Sequence, residues 1–380
     1  MDPERLARVV QLRHELHAHP ELSLREKETK RRLLAFLQEN TRHLDIVDPG
    51  DRFFYVRYTP SDPVCAAKPA LAFRADYDAL PICEDLDLAW NSTNRGVSHK
   101  CGHDGHAASL AGFALELDAR GADQPVVLIF QGAEEIGEGA KVACKILEPQ
   151  GVSEVYAMHN WSKMERGTVN LVDGATMPAS EGLSLFFAGK TSHAAEPENG
   201  INPAQAIAAL VAALPGFERD AAHGGYAMIT VVQISVGSPN FGVNPGDGVV
   251  RLTLRAQQDA DLRALETSVR NRAERLAAGA GLSVRAELSD VFPATVNSKT
   301  CADKVRAAAE VAGLVWHTLP DPSPVRASED FGYYEQVVPG CLFYLGNGFD
   351  YPDVHTQAFD YVDDNISRAV DVFAQLAHLN

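Results

Sequence analysis

Val126-Val127-Leu128-Ile129-Phe130-Gln131-Gly132-Ala133-Glu134-Glu135 carries five apolar residues, three of them β-branched, into two adjacent carboxylates. A continuous apolar run of this length fits a strand buried on both faces. Acidic residues just past such a strand stand at a sheet end, where α/β folds keep their chemistry. Upstream, His106 to Leu117 has helical apolar spacing, preceded by the β-rich stretches Phe53-Phe54-Tyr55-Val56 and Ala70-Leu71-Ala72-Phe73. Downstream, Gly139 to Leu147 reads as a helix and Val155-Tyr156-Ala157-Met158 as another buried strand. The alternation predicts an α/β fold, a sheet covered by helices. The loops after residues 73, 130 and 158 become the places to look, and Asp76, Glu134 and His159 sit there.

Outward from this core, Asp2-Pro3-Glu4 caps and opens an N-terminal helix, and a second helix is expected from Leu24 to Asn40. From Gly174 to Asp290 the pattern changes. Leu183–Phe187, Ile229–Ile234, Val249–Leu254 and Leu282–Ala286 read as strands, with helices over Asn202–Leu214 and Asp261–Ala277. Two helices on a four-stranded antiparallel sheet form an inserted α+β unit. The expected organisation is a catalytic domain from 1–175 and 290–380, interrupted by an inserted domain over 176–289. Helices at Cys301–Leu314 and Ile366–Leu379 flank a strand at Cys341–Leu345, and the proline-rich 320–324 reads as a loop.

A chain of 380 residues can build two cores without disulfides. The formal charge of −17 argues against nucleic acid and anionic membrane as partners. Six cysteines without a CxxC pair read as reduced thiols. Met1-Asp2-Pro3-Glu4-Arg5 does not open a signal peptide, and no apolar run reaches a membrane span. A cytoplasmic protein is expected.

His99-Lys100-Cys101-Gly102-His103-Asp104-Gly105-His106 packs three imidazoles, a thiol and a carboxylate into eight residues. Cys101 and His103 can converge on one divalent ion, or on two if the thiolate bridges. A lone Cys-x-His carries even odds of being structural, and His99 and His106 compete for the ligand role. Gly102 and Gly105 permit tight backbone at a helix start, which also favours a thiolate. His106 is expected to pack along the starting helix. Adjacent glutamates are usually a solvated turn. After a buried strand and beside metal-binding residues, one can bind metal while its neighbour, pointing the other way in extended backbone, faces substrate. His159 reads equally as a core histidine or a ligand. His355 lies in a Gly/Asp/Pro-rich segment without a packing role, and a surface histidine is the plain reading of His193. Asp76 and Asp78 are expected as ligands or as partners that orient ligating histidines.

These segments, with Leu16–Leu22, Arg74–Pro81, Ser192–Ala195 and Ser328-Glu329-Asp330-Phe331, make the chain resemble the N-acyl-amino-acid amidohydrolases, within the aminoacylase and carboxypeptidase-G type metallopeptidases. The resemblance spans nearly the whole chain. It implies a metallo-aminopeptidase-like catalytic domain, a mixed sheet flanked by helices, with an inserted dimerisation lid. It implies two divalent ions held by Cys101, His103, Glu135, His159 and His355, with Cys101 bridging and Glu134 as general base. It places His193 on a lid histidine that reaches the partner subunit's site. Where relatives often carry Phe-Asn-Val-Ile-Pro, this chain reads Phe241-Gly242-Val243-Asn244-Pro245.

The expected protein is therefore a homodimeric, metal-dependent amidohydrolase acting on an N-acyl amino acid or dipeptide with Zn²⁺, Mn²⁺, Co²⁺ or Ni²⁺. His193 is expected at the oxyanion, and Arg255 and Asn244 are candidates for the substrate carboxylate. The rival is a catalytically weak metal-site protein that binds a small molecule or peptide; an intact Glu134 argues against it. A zinc nucleobase deaminase is excluded, because no His-x-Glu is followed by Pro-Cys-x-x-Cys.

Overall fold

The computed structural model describes residues 1–221, 225–320, 323 and 325–379. Most of the 320–324 loop thus lies outside the described residues. The chain divides into two compact units. One comprises Met1–Thr176, Thr295–Val325 and Glu329–Asn380; the other comprises Met177–Ala294 and Arg326–Ser328.

The first unit is built on a mixed eight-stranded sheet. Its order is Asp45–Val47, Phe53–Tyr58, Val126–Gln131, Ala70–Asp76, Val152–Ser162, Gly340–Gly348, Val169–Leu171 and Trp316–Thr318. The centre is parallel: Ala70–Asp76 pairs in parallel with Val126–Gln131 on one side and Val152–Ser162 on the other. Gly340–Gly348 adds next to Val152–Ser162, also parallel. Phe53–Tyr58 runs antiparallel at the other side. Every residue of Val126–Gln131 is buried, as its unbroken apolar run requires. Phe73, Leu128, Phe130, Tyr156, Met158 and Phe343 pack on one face against Leu110, Phe113, Leu117 and Phe373 of the helices His103–Arg120 and Asp364–Leu376. The short helices Ala140–Ala143 and Gly332–Glu335 stand beside strand residues of the opposite face, where Tyr334 donates to Gln131.

The second unit is an antiparallel sheet in the order Ala227–Val236, Asp247–Ala256, Ala179–Ala188, Ser283–Phe292. Leu183, Leu185, Phe187, Val250, Leu252 and Leu254 alternate inward against Ile207, Leu210, Leu262 and Leu265 of the helices Ala204–Ala221 and Asp259–Gly279. A separate two-stranded ribbon pairs Ser192–His193 with Val243–Asn244.

Three local expectations change. Asp76, expected on the loop after residue 73, is the last residue of the strand Ala70–Asp76. Helix His103–Arg120 starts three residues before His106, because Gly102 adopts a left-handed φ of 99° and serves as its N-cap. His159 lies inside the strand Val152–Ser162, opposite Tyr344, and not on the loop after it.

Candidate metal centre

Four strand ends and two loops converge at the C-terminal side of the parallel strands. Helix His103–Arg120 presents His103 in its first turn, fully buried. The His103 Nδ1 meets Asp78 Oδ1 at 3.2 Å, which leaves Nε2 facing the pocket with no protein hydrogen-bond partner. His159 Nδ1 donates to the Asn160 carbonyl at 2.7 Å, so its Nε2 lone pair is free to face Cys101 Sγ, 3.6 Å away. His355 takes a left-handed φ of 63°, and its N–H donates to the Lys100 carbonyl. This brings its Nε2 to 3.3 Å from Cys101 Sγ and 3.7 Å from Glu135 Oε1.

Glu134 and Glu135 do not sit on extended backbone. They lie in a turn after Gln131, and both carboxylates approach the same imidazole: Glu134 Oε2 is 3.7 Å and Glu135 Oε1 3.8 Å from His103 Nε2. The Glu135 N–H donates to Asp78 Oδ2 at 3.0 Å, so Asp78 holds both a histidine and a glutamate. Glu134 Oε1 accepts the Asp330 N–H at 3.3 Å.

These residues suit divalent cations. Metal–ligand bonds of about 2.0–2.3 Å place tetrahedral donors roughly 3.3–3.8 Å apart, and the separations above fall in that range. Cys101 belongs to two donor groups, one with His103 and His159 and one with Glu135 and His355. A thiolate shared by two adjacent ions has that arrangement. Glu135 Oε1 and His103 Nε2 are buried without a protein partner, as atoms awaiting a cation would be.

The electrostatics agree. Asp76, Asp78, Glu134, Glu135, Glu329 and Asp330 crowd one region, and Arg74 stands among them. Burial foremost, and then Glu329, Glu135 and Asp330, push the Glu134 carboxyl well above the usual range. Burial, with Asp78 and Asp76 behind it, raises Glu135 to about 8 against the pull of His103. Burial and the Glu135 charge push the Cys101 thiol up. Cations held by Cys101 and Glu135 would take the place of protons there. A second cluster, His17, Asp104 and Asp360, has metal-like spacing too. There the Arg13 guanidinium already fills the cation's place, 3.0 Å from Asp104 Oδ2 and paired with Asp360.

His106 is not a pocket-facing donor. Its Nδ1 bonds Asp76 Oδ1 at 2.7 Å and its Nε2 lies 2.6 Å from Asn160 Oδ1. His99 is buried with both ring nitrogens unpartnered, and burial lowers it to about 4. Asp76 orients His106 and pairs with Arg74 at 2.7 Å. Burial works against its charge, yet His103, Arg74 and His106 hold it well below the usual carboxylate range.

Sequence reasoning missed the network behind Glu134. Arg74 donates to Gln131 Oε1, Asp76 Oδ2 and Asp330 Oδ1. Asp330 also accepts from Gln131 Nε2 and the Ala140 N–H. The available signal was an arginine and an aspartate, Arg74 and Asp76, in a strand that is otherwise apolar and wholly buried.

His193, Asn244 and Arg255 belong to the second unit. His193 is exposed on the ribbon, paired with Val243. Asn244 departs from its expected role. Its Oδ1 accepts from Asn202 at 2.8 Å and its Nδ2 donates to Ser192 Oγ at 3.0 Å, so its amide is spent inside the unit. A Cβ on Gly242 would meet only Asn240 Oδ1, at 3.4 Å. Arg255 is half-buried and donates to the Arg326 carbonyl and Ser328 Oγ.

A mixed sheet with a paired-cation pocket at its strand ends, and a spare carboxylate beside it, defines the class: a metal-dependent amidohydrolase. Residues 72–379 match the model of peptidase family M20/M25/M40, and the chain belongs to that family. It is 31% identical to an N-acetylcysteine deacetylase of Bacillus subtilis (strain 168), over 97% of this chain and 96% of the relative. An N-acetyldiaminopimelate deacetylase of Lacticaseibacillus casei (strain BL23) is 28% identical over 97% and 96%. Among solved structures, a dinuclear metal-binding peptidase of the M20 family from Bacillus subtilis superposes with a TM-score of 0.82. It is 28% identical, over 99% of this chain and 98% of that one.

Proposed function

We propose that the protein hydrolyses the amide bond of N-acyl amino acids, with Cys101, His103, Glu135, His159 and His355 holding two divalent ions and Glu134 as the proton carrier. The observation that carries this reading is Glu134 itself. It is a buried carboxylate beside the donor cluster and hydrogen-bonded only through one oxygen to Asp330 N–H, among the bonds described. A binding module has no use for it. Divalent ions held by Cys101, His103, Glu135, His159 and His355 would acidify a water and polarise the amide carbonyl. Glu134 removes a proton from water as its oxygen attacks the amide carbon, and returns that proton to the nitrogen as the C–N bond breaks. Asp78 holds the His103 imidazole and the Glu135 backbone N–H in place.

The named relatives act on N-acetyl amino acids, which makes these the first substrates to test. Arg255 is proposed to meet the substrate carboxylate and His193 the developing oxyanion. Asn244 is a positioning residue that keeps the His193 ribbon in register. The proposed homodimer forms through the second unit. Its edge strand Ala227–Val236 carries no charged residue and exposes Val231, Val232 and Ile234, a surface suited to pairing with another copy. Six free cysteines fit a reducing cytoplasm. No helix among the described residues is long and apolar enough to cross a membrane.

The test is Glu134→Gln on N-acetyl amino acids with added Mn²⁺, Zn²⁺ or Co²⁺. A kcat about 10²–10⁴-fold lower, with metal still bound, is expected. Retained activity removes Glu134 from the chemistry, and full activity after exhaustive chelation removes the metals.

A further inference from the structure

Glu26 is the N-cap of the helix Lys27–Asn40, yet its side chain makes no capping hydrogen bond. Its carboxylate turns away from its own helix and accepts the Ala133 N–H at 2.7 Å, 107 residues along the chain. Ala133 is the residue before Glu134. It is fully buried and takes a left-handed φ of 57°, a conformation that costs any residue with a Cβ.

The rest of the turn depends on that conformation. The Ala133 carbonyl accepts the N–H groups of Glu138 and Gly139, at 3.1 and 3.0 Å. The Gly132 N–H donates to the Arg52 carbonyl at 2.8 Å. A Cβ on Gly132 would stand 2.7 Å from Glu26 Oε1, so the close approach of the carboxylate uses a glycine there. Beyond Ala133 the chain turns so that both Glu134 and Glu135 face His103.

We propose that Glu26 is a positioning residue for the reaction: by accepting the Ala133 N–H it locks the left-handed turn that aims Glu134 into the metal pocket. The proposal rests on Glu134 as the general base. Glu26 makes no hydrogen bond or ion pair to the donor side chains among the described contacts; it acts through one backbone group.

The test uses the metal-loaded, full-length protein and three substitutions. Glu26→Gln keeps an acceptor oxygen in place. Glu26→Leu keeps the volume and removes the acceptor. Glu26→Asp keeps the charge and withdraws the oxygen by one methylene. Displacing a catalytic group by about 1 Å costs on the order of 100-fold. Glu26→Leu should therefore lose about 10–100-fold in kcat with KM and bound metal unchanged, while Glu26→Gln stays within about 3-fold of the parent. Glu26→Asp falls between them, and it carries the test if the leucine variant gives no cooperative melt. Parental kcat in Glu26→Leu or Glu26→Asp overturns the proposal. So does loss of metal in step with kcat, which marks a general scaffold role. If Glu134→Gln is itself active, the assignment of the base has failed, and this proposal falls with it for that separate reason.

Discussion

Single residues show how little freedom the centre has. A Cβ at Gly102 would approach Asn160 Oδ1 to 2.2 Å, at a backbone φ that side chains rarely adopt. Asn160 in turn holds His106, and its carbonyl fixes the His159 tautomer. Gly102→Ala should therefore destabilise the protein by about 2 kcal/mol or more and weaken metal binding together with it. Urea unfolding and metal stoichiometry check this; a stable variant with full metal content would show that the Gly102–Asn160 contact is slack. Cys101-x-His103 and Glu134-Glu135 are local patterns with a known chemistry, whereas His159 and His355 joined the expected donors only through the family resemblance. The partners of Glu26 and Asp330 left no such pattern. A carboxylate on a helix cap, or in a loop two hundred residues from its partner, has no spacing that betrays what it will meet. The two glutamates were misjudged in one respect: alternation in extended backbone was assumed, and the left-handed Ala133 replaced it with a turn.

At the scale of elements, most strands and helices followed from their apolar periods, since burial on one or two faces leaves a regular trace. The segment between Ile82 and the Cys101 loop leaves no such trace, and it has no helix or strand. Charge holds it instead. Glu84 accepts from His17 Nε2, from Lys100 Nζ and from the Ser92 N–H, tying the segment to the first helix and to the residue before Cys101. Burial opposes its ionisation, but these three donors lower Glu84 to about 2. Its folded value lies below the unfolded one near 4.5, so its stabilisation is complete above about pH 4.5 and is lost as pH falls toward 2. The parent should exceed Glu84→Gln in stability at pH 6, with the gap narrower at pH 3. Urea midpoints at the two pH values measure it, and a constant gap would mean that the bridge is not ionic.

For the molecule as a whole, the two units have separate hydrophobic cores. If His193 serves the partner's site, two inactive variants should repair one another. A mixture of Glu134→Gln and His193→Ala chains, refolded or exchanged together, contains heterodimers in which one site holds an intact Glu134 and receives an intact His193. Activity should rise toward a quarter of the parental value in an equal mixture, since half the dimers carry one working site of two. Activity that stays at the level of the two variants alone would place His193 in its own subunit or outside the reaction.

The position of Gly340–Gly348 has a consequence in time. That strand lies between Val152–Ser162 and Val169–Leu171, in the middle of the sheet, although it comes near the end of the chain. During synthesis the earlier strands must wait with a gap between them, while residues 177–294 have every strand of their own sheet to hand. Pairings so distant in sequence close late. His355, the last of the proposed donors in sequence, follows the same strand by seven residues, so it arrives together with the last sheet pairing. On the proposed ligand set, a chain that stops short of His355 lacks one donor and is expected to show no hydrolase activity.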